Sequence, residues 1–186
     1  MNSRTSEKKK PEGFAIWMTG LPGSGKSTLA GVLKRKFETD YDRFVEVLDG
    51  DEIRKGLSID LGLSKEDREE HARRVSYLAK VLSRNGVVSI VALISPYKSS
   101  RDSARELIGK DRFVEVYIKA SLAACEKRDP KGLYAKARRG EISNMTGIQD
   151  PYEIPVSPDV TIDTEKGLPE DSAKLLIEQL EKLGFL

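Results

Sequence analysis

Residues 20–27 read Gly-Leu-Pro-Gly-Ser-Gly-Lys-Ser, directly behind the apolar run Phe14–Met18 and ahead of a helical pattern that starts near Ser27. The spacing G-x-x-x-x-G-K-[ST] is complete, and strand, loop and helix form the setting in which it has a mechanism. The glycines let backbone N–H groups converge on phosphate oxygens, and the helix N-terminus behind them adds positive potential. Lys26 is placed to reach the outer phosphates, and the Ser27 hydroxyl to ligate Mg²⁺. A nucleoside triphosphate is therefore expected along Gly20, Leu21, Pro22, Gly23, Ser24, Gly25, Lys26, Ser27 and Thr28.

That motif demands a parallel α/β sheet, and the chain supplies one. Apolar runs at Phe14–Met18, Phe44–Leu48, Val87–Ile94, Phe113–Ile118 and Val160–Ile162 alternate with helical patterns at Lys26–Phe37, Glu66–Arg84, Lys98–Leu107, Leu122–Arg128 and Pro169–Leu183. Alternation of this kind predicts strands joined by crossover helices. The run Val87–Ile94 is nearly unbroken, as for a central strand covered on both faces. The expected fold is an α/β P-loop NTPase three-layer sandwich, with a mostly parallel five-stranded central sheet, helices on both faces and a lid. At 186 residues one domain suffices. It is expected over residues 13–186, behind a flexible polar N-terminal tail at 1–12.

Composition removes several classes of function. Thirty-two basic against 30 acidic residues leave a net charge of +2, too small for a field that favours nucleic acid or a membrane surface. No apolar run is long enough to span a bilayer, and the opening residues lack a signal-peptide pattern. Cys125 is the single cysteine, which excludes an internal disulfide and a cysteine-based zinc cage. A cytoplasmic protein is expected.

Further residues gather where strands should end. Asp49-Gly50-Asp51-Glu52-Ile53-Arg54 follows the second strand, which puts Asp49, Asp51 and Arg54 at the cleft. Phosphoryl transfer to a hydroxyl needs a carboxylate to handle its proton and carboxylates to hold the metal's shell. Asp51 is assigned the proton and Asp49 packing support or the outer shell, although an Asp-Gly turn capping a helix uses the same residues. On the longest helix, Arg68, His71 and Ala72 share a face that suits an anionic substrate, while Arg73 and Arg74 turn elsewhere. A helix surface laced with ion pairs is the competing account. Ile94-Ser95-Pro96-Tyr97 ends the central run, and Ser95-Pro96 reads as an N-cap and first-turn proline. Ser95 lacks an adjacent base, so its part is positional rather than covalent. The Pro/Gly-rich stretch 129–157 breaks the alternation and carries Lys131, Lys136, Arg138 and Arg139 behind Lys127 and Arg128. It is expected to close over phosphates, against the alternative of a solvated basic loop.

With these pieces in order the chain resembles the adenylylsulfate kinases. The resemblance rests on Gly20–Thr28, Asp49–Arg54, Asp60-Leu61-Gly62-Leu63, Asp67–Arg74 and Ile94–Tyr97. It also rests on Arg128-Asp129-Pro130-Lys131-Gly132-Leu133-Tyr134 and Gly140–Glu153, and it runs from about Gly13 to the C-terminus. It implies ATP:adenylylsulfate 3′-phosphotransferase activity, in which ATP and adenosine 5′-phosphosulfate (APS) give 3′-phosphoadenosine 5′-phosphosulfate and ADP, with Mg²⁺ and a homodimer. It implies that Asp49, Asp51, Arg54, Leu63, Arg68, His71, Ile94, Ser95, Lys131, Leu133, Asn144 and Met145 meet the sulfonucleotide. Arg128 would lie by the ATP base, Ser27 and Asp51 by the metal, and Lys26, Asp51 and Ser95 at the chemistry. Family members carry phenylalanines where this chain has Leu63 and Met145, and asparagine where it has His71. Those differences predict a weaker hold on the acceptor, with a pH-dependent contact at His71. Another small-molecule P-loop kinase, or a non-catalytic nucleotide-binding regulatory domain, stays open. Intact Lys26, Ser27 and Asp51 speak against the second, and Asp129–Tyr134 against the first.

Overall fold

The computed structural model describes residues 12–186. Of the expected tail at 1–12, only Glu12 falls within them. Strands β1 (Ala15–Thr19), β2 (Val45–Asp49), β3 (Val88–Ala92), β4 (Phe113–Lys119) and β5 (Val160–Asp163) form one sheet in the order β2-β3-β1-β4-β5. Every pairing is parallel. The crossovers use α1 (Lys26–Asp40), α2 (Gly50–Arg54), α3 (Lys65–Arg84), α4 (Lys98–Ile108), α5 (Leu122–Arg128) and α6 (Leu133–Arg138), and α7 (Pro169–Lys182) follows the last strand.

Side-chain alternation along β1 builds the layers. Phe14, Ile16 and Met18 face a core made with Leu29, Leu33 and Phe37 of α1 and Leu176 and Leu180 of α7. Ala15 and Trp17 face the other side, against Ala72, Val75 and Ala79 of α3 and Ala104 and Ile108 of α4. Trp17 and Phe37 are fully buried, and a side chain of that size contributes roughly 1.5–3 kcal/mol by leaving water. Because β1 lies between β3 and β4, the strand order reverses there. The crevice for a ligand opens at the carboxyl ends of the strands around it.

The stretch 129–157 is more ordered than its Pro and Gly content suggests. It contains α6, whose start is held by Asp129, a carboxylate accepting from the N–H groups of Tyr134 and Ala135 at 3.1 and 3.0 Å. Tyr134, Ala137 and Met145 form a small apolar core with Ala120 and Cys125. Two local expectations are corrected. Helix α2 was absent from the helical patterns and entered only through the capping alternative at Asp49, since five residues are too few to show a 3.6-residue period. Ser95 is not the cap of the next helix: α4 begins at Lys98 behind Tyr97, with no side-chain cap from Tyr97. Its first N–H instead donates to the Glu153 carboxylate at 2.6 Å.

Candidate active site

At the end of β1 the chain turns through Gly20, whose missing side chain matters: a Cβ there would stand 2.6 Å from the Ile118 carbonyl. Gly25 precedes α1 with φ of 102°, a conformation side-chain-bearing residues seldom adopt. Lys26 is buried, and its ammonium donates to the carbonyls of Gly20 and Leu21, both at 2.8 Å, and to Ser24 Oγ at 3.3 Å. Burial pushes its pKa down to about 8. Beside it the Ser27 hydroxyl donates to Asp49 Oδ2 at 2.6 Å, and Asp49 Oδ1 accepts from the Asp51 N–H at 3.0 Å. Asp49 thus caps α2 and stands at the Ser27 hydroxyl. Asp51 forms an ion pair with Lys131 of the lid, and both side chains stay exposed.

These groups line one cavity of about 860 Å³. At its donor end Arg128 donates to the Thr164 carbonyl at 2.7 Å and to Thr164 Oγ1 at 3.1 Å, and Thr164 Oγ1 donates to the Ser24 carbonyl at 2.7 Å. Gly167, Leu168, Pro169 and Ser172 complete that end, a group that sequence reasoning missed. The loop after β5 could have been flagged because it sits at a strand's carboxyl end. Gly20, Leu21 and Ser24 are not among the residues that line the cavity. The Leu21 side chain packs outward against the lid's apolar core, and Ser24 is fully buried.

Arg54, Leu63, Arg68, His71, Ile94, Ser95, Leu133, Asn144 and Met145 also line the cavity. Arg54 donates to the carbonyls of Leu61 and Gly62 at 3.3 and 2.8 Å. Arg68 donates to those of Leu63 and Asn144 at 3.0 and 2.7 Å. Among the described residues neither guanidinium has an ion-pair partner within 4.0 Å, and burial lowers the pKa of both. Arg73 and Arg74, by contrast, are spent on Glu70 and Asp60 at the helix surface. Arg138 and Arg139 likewise pair with Glu126 and Glu141, so only part of the lid's basic character faces the cleft.

His71 is 5 % exposed, and neither ring nitrogen has a hydrogen-bond partner among the described residues. Desolvation, with Arg54, Arg74 and Arg68 nearby, pushes its pKa down to about 4. The imidazole is neutral at pH 7, and its titration lies in acid. Thr146 is a second residue on the cavity wall with a buried polar atom, Oγ1, that has no hydrogen-bond partner among the described residues, and one that sequence reasoning passed over.

Ser95 adopts φ of +42°, a conformation that costs a non-glycine residue about 1–3 kcal/mol. Its hydroxyl accepts from the Trp17 indole N–H at 3.1 Å, and its carbonyl accepts from Thr19 Oγ1 at 3.2 Å and Arg101 at 2.8 Å.

A phosphate loop ending β1, a carboxylate pair at the end of β2 and a second, cationic pocket beneath a basic lid define a P-loop kinase that acts on a small anionic molecule. The family model for adenylylsulphate kinase matches residues 12–163, and the chain belongs to that family. It is 48 % identical over 178 residues to the adenylyl-sulfate kinase of Halothermothrix orenii, covering 96 % of this chain and 95 % of that one. The Clostridium acetobutylicum adenylyl-sulfate kinase is 49 % identical over 178 residues, covering 95 % and 88 %. Among solved structures, the Mycobacterium tuberculosis APS kinase in complex with AMPPNP and APS superposes with a TM-score of 0.87 at 43 % identity, covering 92 % of this chain and 99 % of that one. Among the described residues no helix is long and apolar enough to cross a membrane.

Proposed function

We propose that the protein transfers the γ-phosphoryl group of ATP to the 3′-hydroxyl of adenosine 5′-phosphosulfate, in the cytoplasm and as a homodimer. One observation carries the reading: a single cavity holds Lys26 and the Ser27–Asp49 pair together with two guanidinium groups that have no ion-pair partner, and a neutral imidazole that has no hydrogen-bond partner, among the described residues. Asp51 lines the same cavity.

The residues suit a triphosphate with Mg²⁺. The glycine cradle leaves backbone N–H groups free to meet phosphate oxygens, and Ser27 with Asp49 forms the hydroxyl–carboxylate donor set that Mg²⁺ takes beside phosphates. When bound, the ion neutralises charge on the phosphates. The ammonium of Lys26 leaves the Gly20 and Leu21 carbonyls for the outer phosphates, and Arg128 with the loop after β5 holds the base. Arg54 and Arg68 meet the phosphosulfate, and His71 and Thr146 offer it their unused polar atoms. Asp51, released by Lys131, accepts the proton of the 3′-hydroxyl as that oxygen bonds to the γ-phosphorus and the bond to the bridging oxygen of ADP breaks. Lys131, freed in the same exchange, faces the added negative charge.

The test is ADP release from Mg²⁺-ATP with adenosine 5′-phosphosulfate, AMP, gluconate or shikimate as acceptor. Turnover of the sulfonucleotide is the expected result, and turnover of AMP or a sugar acid in its place overturns the reading. A sedimentation mass of twice 20.7 kDa checks the homodimer.

A further inference from the structure

Arg101 sits on the inner face of α4 and is 3 % exposed, outside the set of residues that meet either nucleotide. A buried guanidinium needs a counter-charge, and Glu115 of β4 provides it: Arg101 Nε donates to Glu115 Oε1 at 2.7 Å. Charge balance alone would leave the rest of the fork idle. Instead its two terminal nitrogens reach carbonyls of two separate loops, Ser95 at 2.8 Å and Glu153 at 2.9 Å.

Those loops are the ones that need holding. Ser95 is in the left-handed region, and with Pro96 it lines the acceptor end of the cavity. Glu153 lies where the lid segment returns to the body. Its N–H donates to the Pro96 carbonyl at 2.8 Å, and its carboxylate accepts from the N–H of Lys98. Tyr152, one residue earlier, is hydrogen-bonded through its hydroxyl to Thr19 Oγ1 at 2.9 Å. Every one of these links joins the return limb of the lid to the turn at Ser95 or to its neighbours, and Arg101 is the charged centre of the set.

We propose that Arg101 is a positioning residue for the phosphoryl acceptor: held by Glu115, its fork ties the Ser95–Pro96 turn and the lid's return limb at Glu153 into one wall. The lid is then fixed at its Glu153 end, and the acceptor meets a wall already in place. An Arg is required because three donors in one plane reach three groups, which a lysine cannot match. The identity of the acceptor is taken from the reading above.

One turn further along α4, Arg105 provides the control. It also contacts Glu115, at 3.5 Å, and pairs with Asp159 at 2.7 Å, but it touches neither Ser95 nor Glu153. The experiment measures steady-state kinetics with ATP and adenosine 5′-phosphosulfate varied in turn for the wild type, Arg101→Met, Arg101→Lys and Arg105→Met. Amide hydrogen exchange at Glu153 is followed in parallel. For Arg101→Met the expected result is a rise in acceptor KM of about tenfold or more, ATP KM within about twofold, and faster exchange at Glu153, with Arg105→Met close to wild type in all three. Equal effects of Arg101→Met and Arg105→Met, or an unchanged acceptor KM in folded Arg101→Met, overturn the proposal. If Arg101→Met does not fold, Arg101→Lys decides, with a rise in acceptor KM of about threefold or more supporting the proposal and a smaller one sinking it. Failure of the wild type to use adenosine 5′-phosphosulfate removes the functional reading alone; Glu153 exchange and the KM of the acceptor that is used still judge Arg101.

Discussion

The hydroxyl of Ser27 donates to Asp49 Oδ2 across 2.6 Å, which joins the phosphate loop to the end of β2 and places a carboxylate beside the hydroxyl proposed to hold Mg²⁺. Asp51, two residues on, points to Lys131 instead. The two acids therefore divide the work, and substitution separates them. Asp49→Asn keeps the α2 cap, since asparagine caps as well as aspartate, but removes the charge. It is expected to raise the half-saturating Mg²⁺ concentration about 10–100-fold. Asp51→Asn is expected to lower kcat about 10²–10⁴-fold with Mg²⁺ dependence and ATP binding unchanged. A Mg²⁺ titration of kcat in both variants checks the division, and equal Mg²⁺ curves would refute it.

Burial brings the Lys26 ammonium down to about 8, and polyphosphate binding holds the proton on. The free protein loses that proton as pH rises through 8, so the Kd for ATP is expected to climb above pH 8 toward about tenfold per pH unit. The unfolded lysine keeps its proton to about 10.5. The cost of burying the charge is thus fully present below pH 8 and is relieved between 8 and 10.5. Calorimetric titration of ATP from pH 6.5 to 10 tests this, and a flat Kd rules it out. Removing the ammonium with Lys26→Ala is expected to lower turnover at least about 10²–10³-fold.

Leu63 and Met145 both line the cavity, yet their surroundings differ. Leu63 is 47 % exposed at the cavity edge, and Met145 is 6 % exposed within the lid's apolar core. Leu63→Phe has room to offer a ring to the adenine, and one stacked face contributes roughly 1–3 kcal/mol, so acceptor KM is expected to fall about fivefold or more. Met145→Phe adds volume to a packed site and is expected to cost about 1–3 kcal/mol in stability. Michaelis constants and thermal melts of the two variants separate the effects.

His71 gives the acid limb of stability. Its imidazole is held near 4 when folded and titrates near 6.5 when unfolded. Between those values the unfolded chain binds the extra proton, so stability falls as pH drops from 6.5 to 4. His71→Asn removes this titration, and its Tm is expected to decline less over that range. The same burial predicts that acceptor KM in the wild type does not change between pH 6.5 and 8 on account of this residue. Melting curves and acceptor KM measured across pH 4–8 in both proteins decide it.

The sheet was legible because its strands are apolar runs, with both faces covered at β1 and β3, and β1 with the phosphate loop was legible in full. The cleft acids and arginines were legible as a set, since the carboxyl ends of strands in such sheets are known in advance. Partnerships within the set were not. Nothing in the spacing assigns Asp49 rather than Asp51 to Ser27, or directs Arg54 and Arg68 to the carbonyls of Leu61, Gly62, Leu63 and Asn144. The donor end after β5 was hidden for a related reason. Thr164 acts there through a carbonyl and one hydroxyl, groups that leave little imprint on residue type.

Ser95 shows how far side-chain chemistry depends on such partnerships. A serine at the edge of a phosphotransfer site invites the idea of a covalent phosphoserine, but its hydroxyl accepts from the buried indole of Trp17 and no base stands against it. Its backbone, held by Thr19 and Arg101, is what reaches the cavity. Ser95→Ala is therefore expected to keep kcat within about tenfold of wild type, where deletion of a nucleophile would cost about 10⁴-fold or more. The loss should appear in stability instead, since the Trp17 N–H is left buried without an acceptor at a cost of about 1–3 kcal/mol. Single-turnover phosphoryl transfer from labelled ATP, with the protein assayed for retained label, is the decisive measurement. Label on wild-type protein that Ser95→Ala abolishes, together with lost turnover, would establish the covalent route and overturn the positional one.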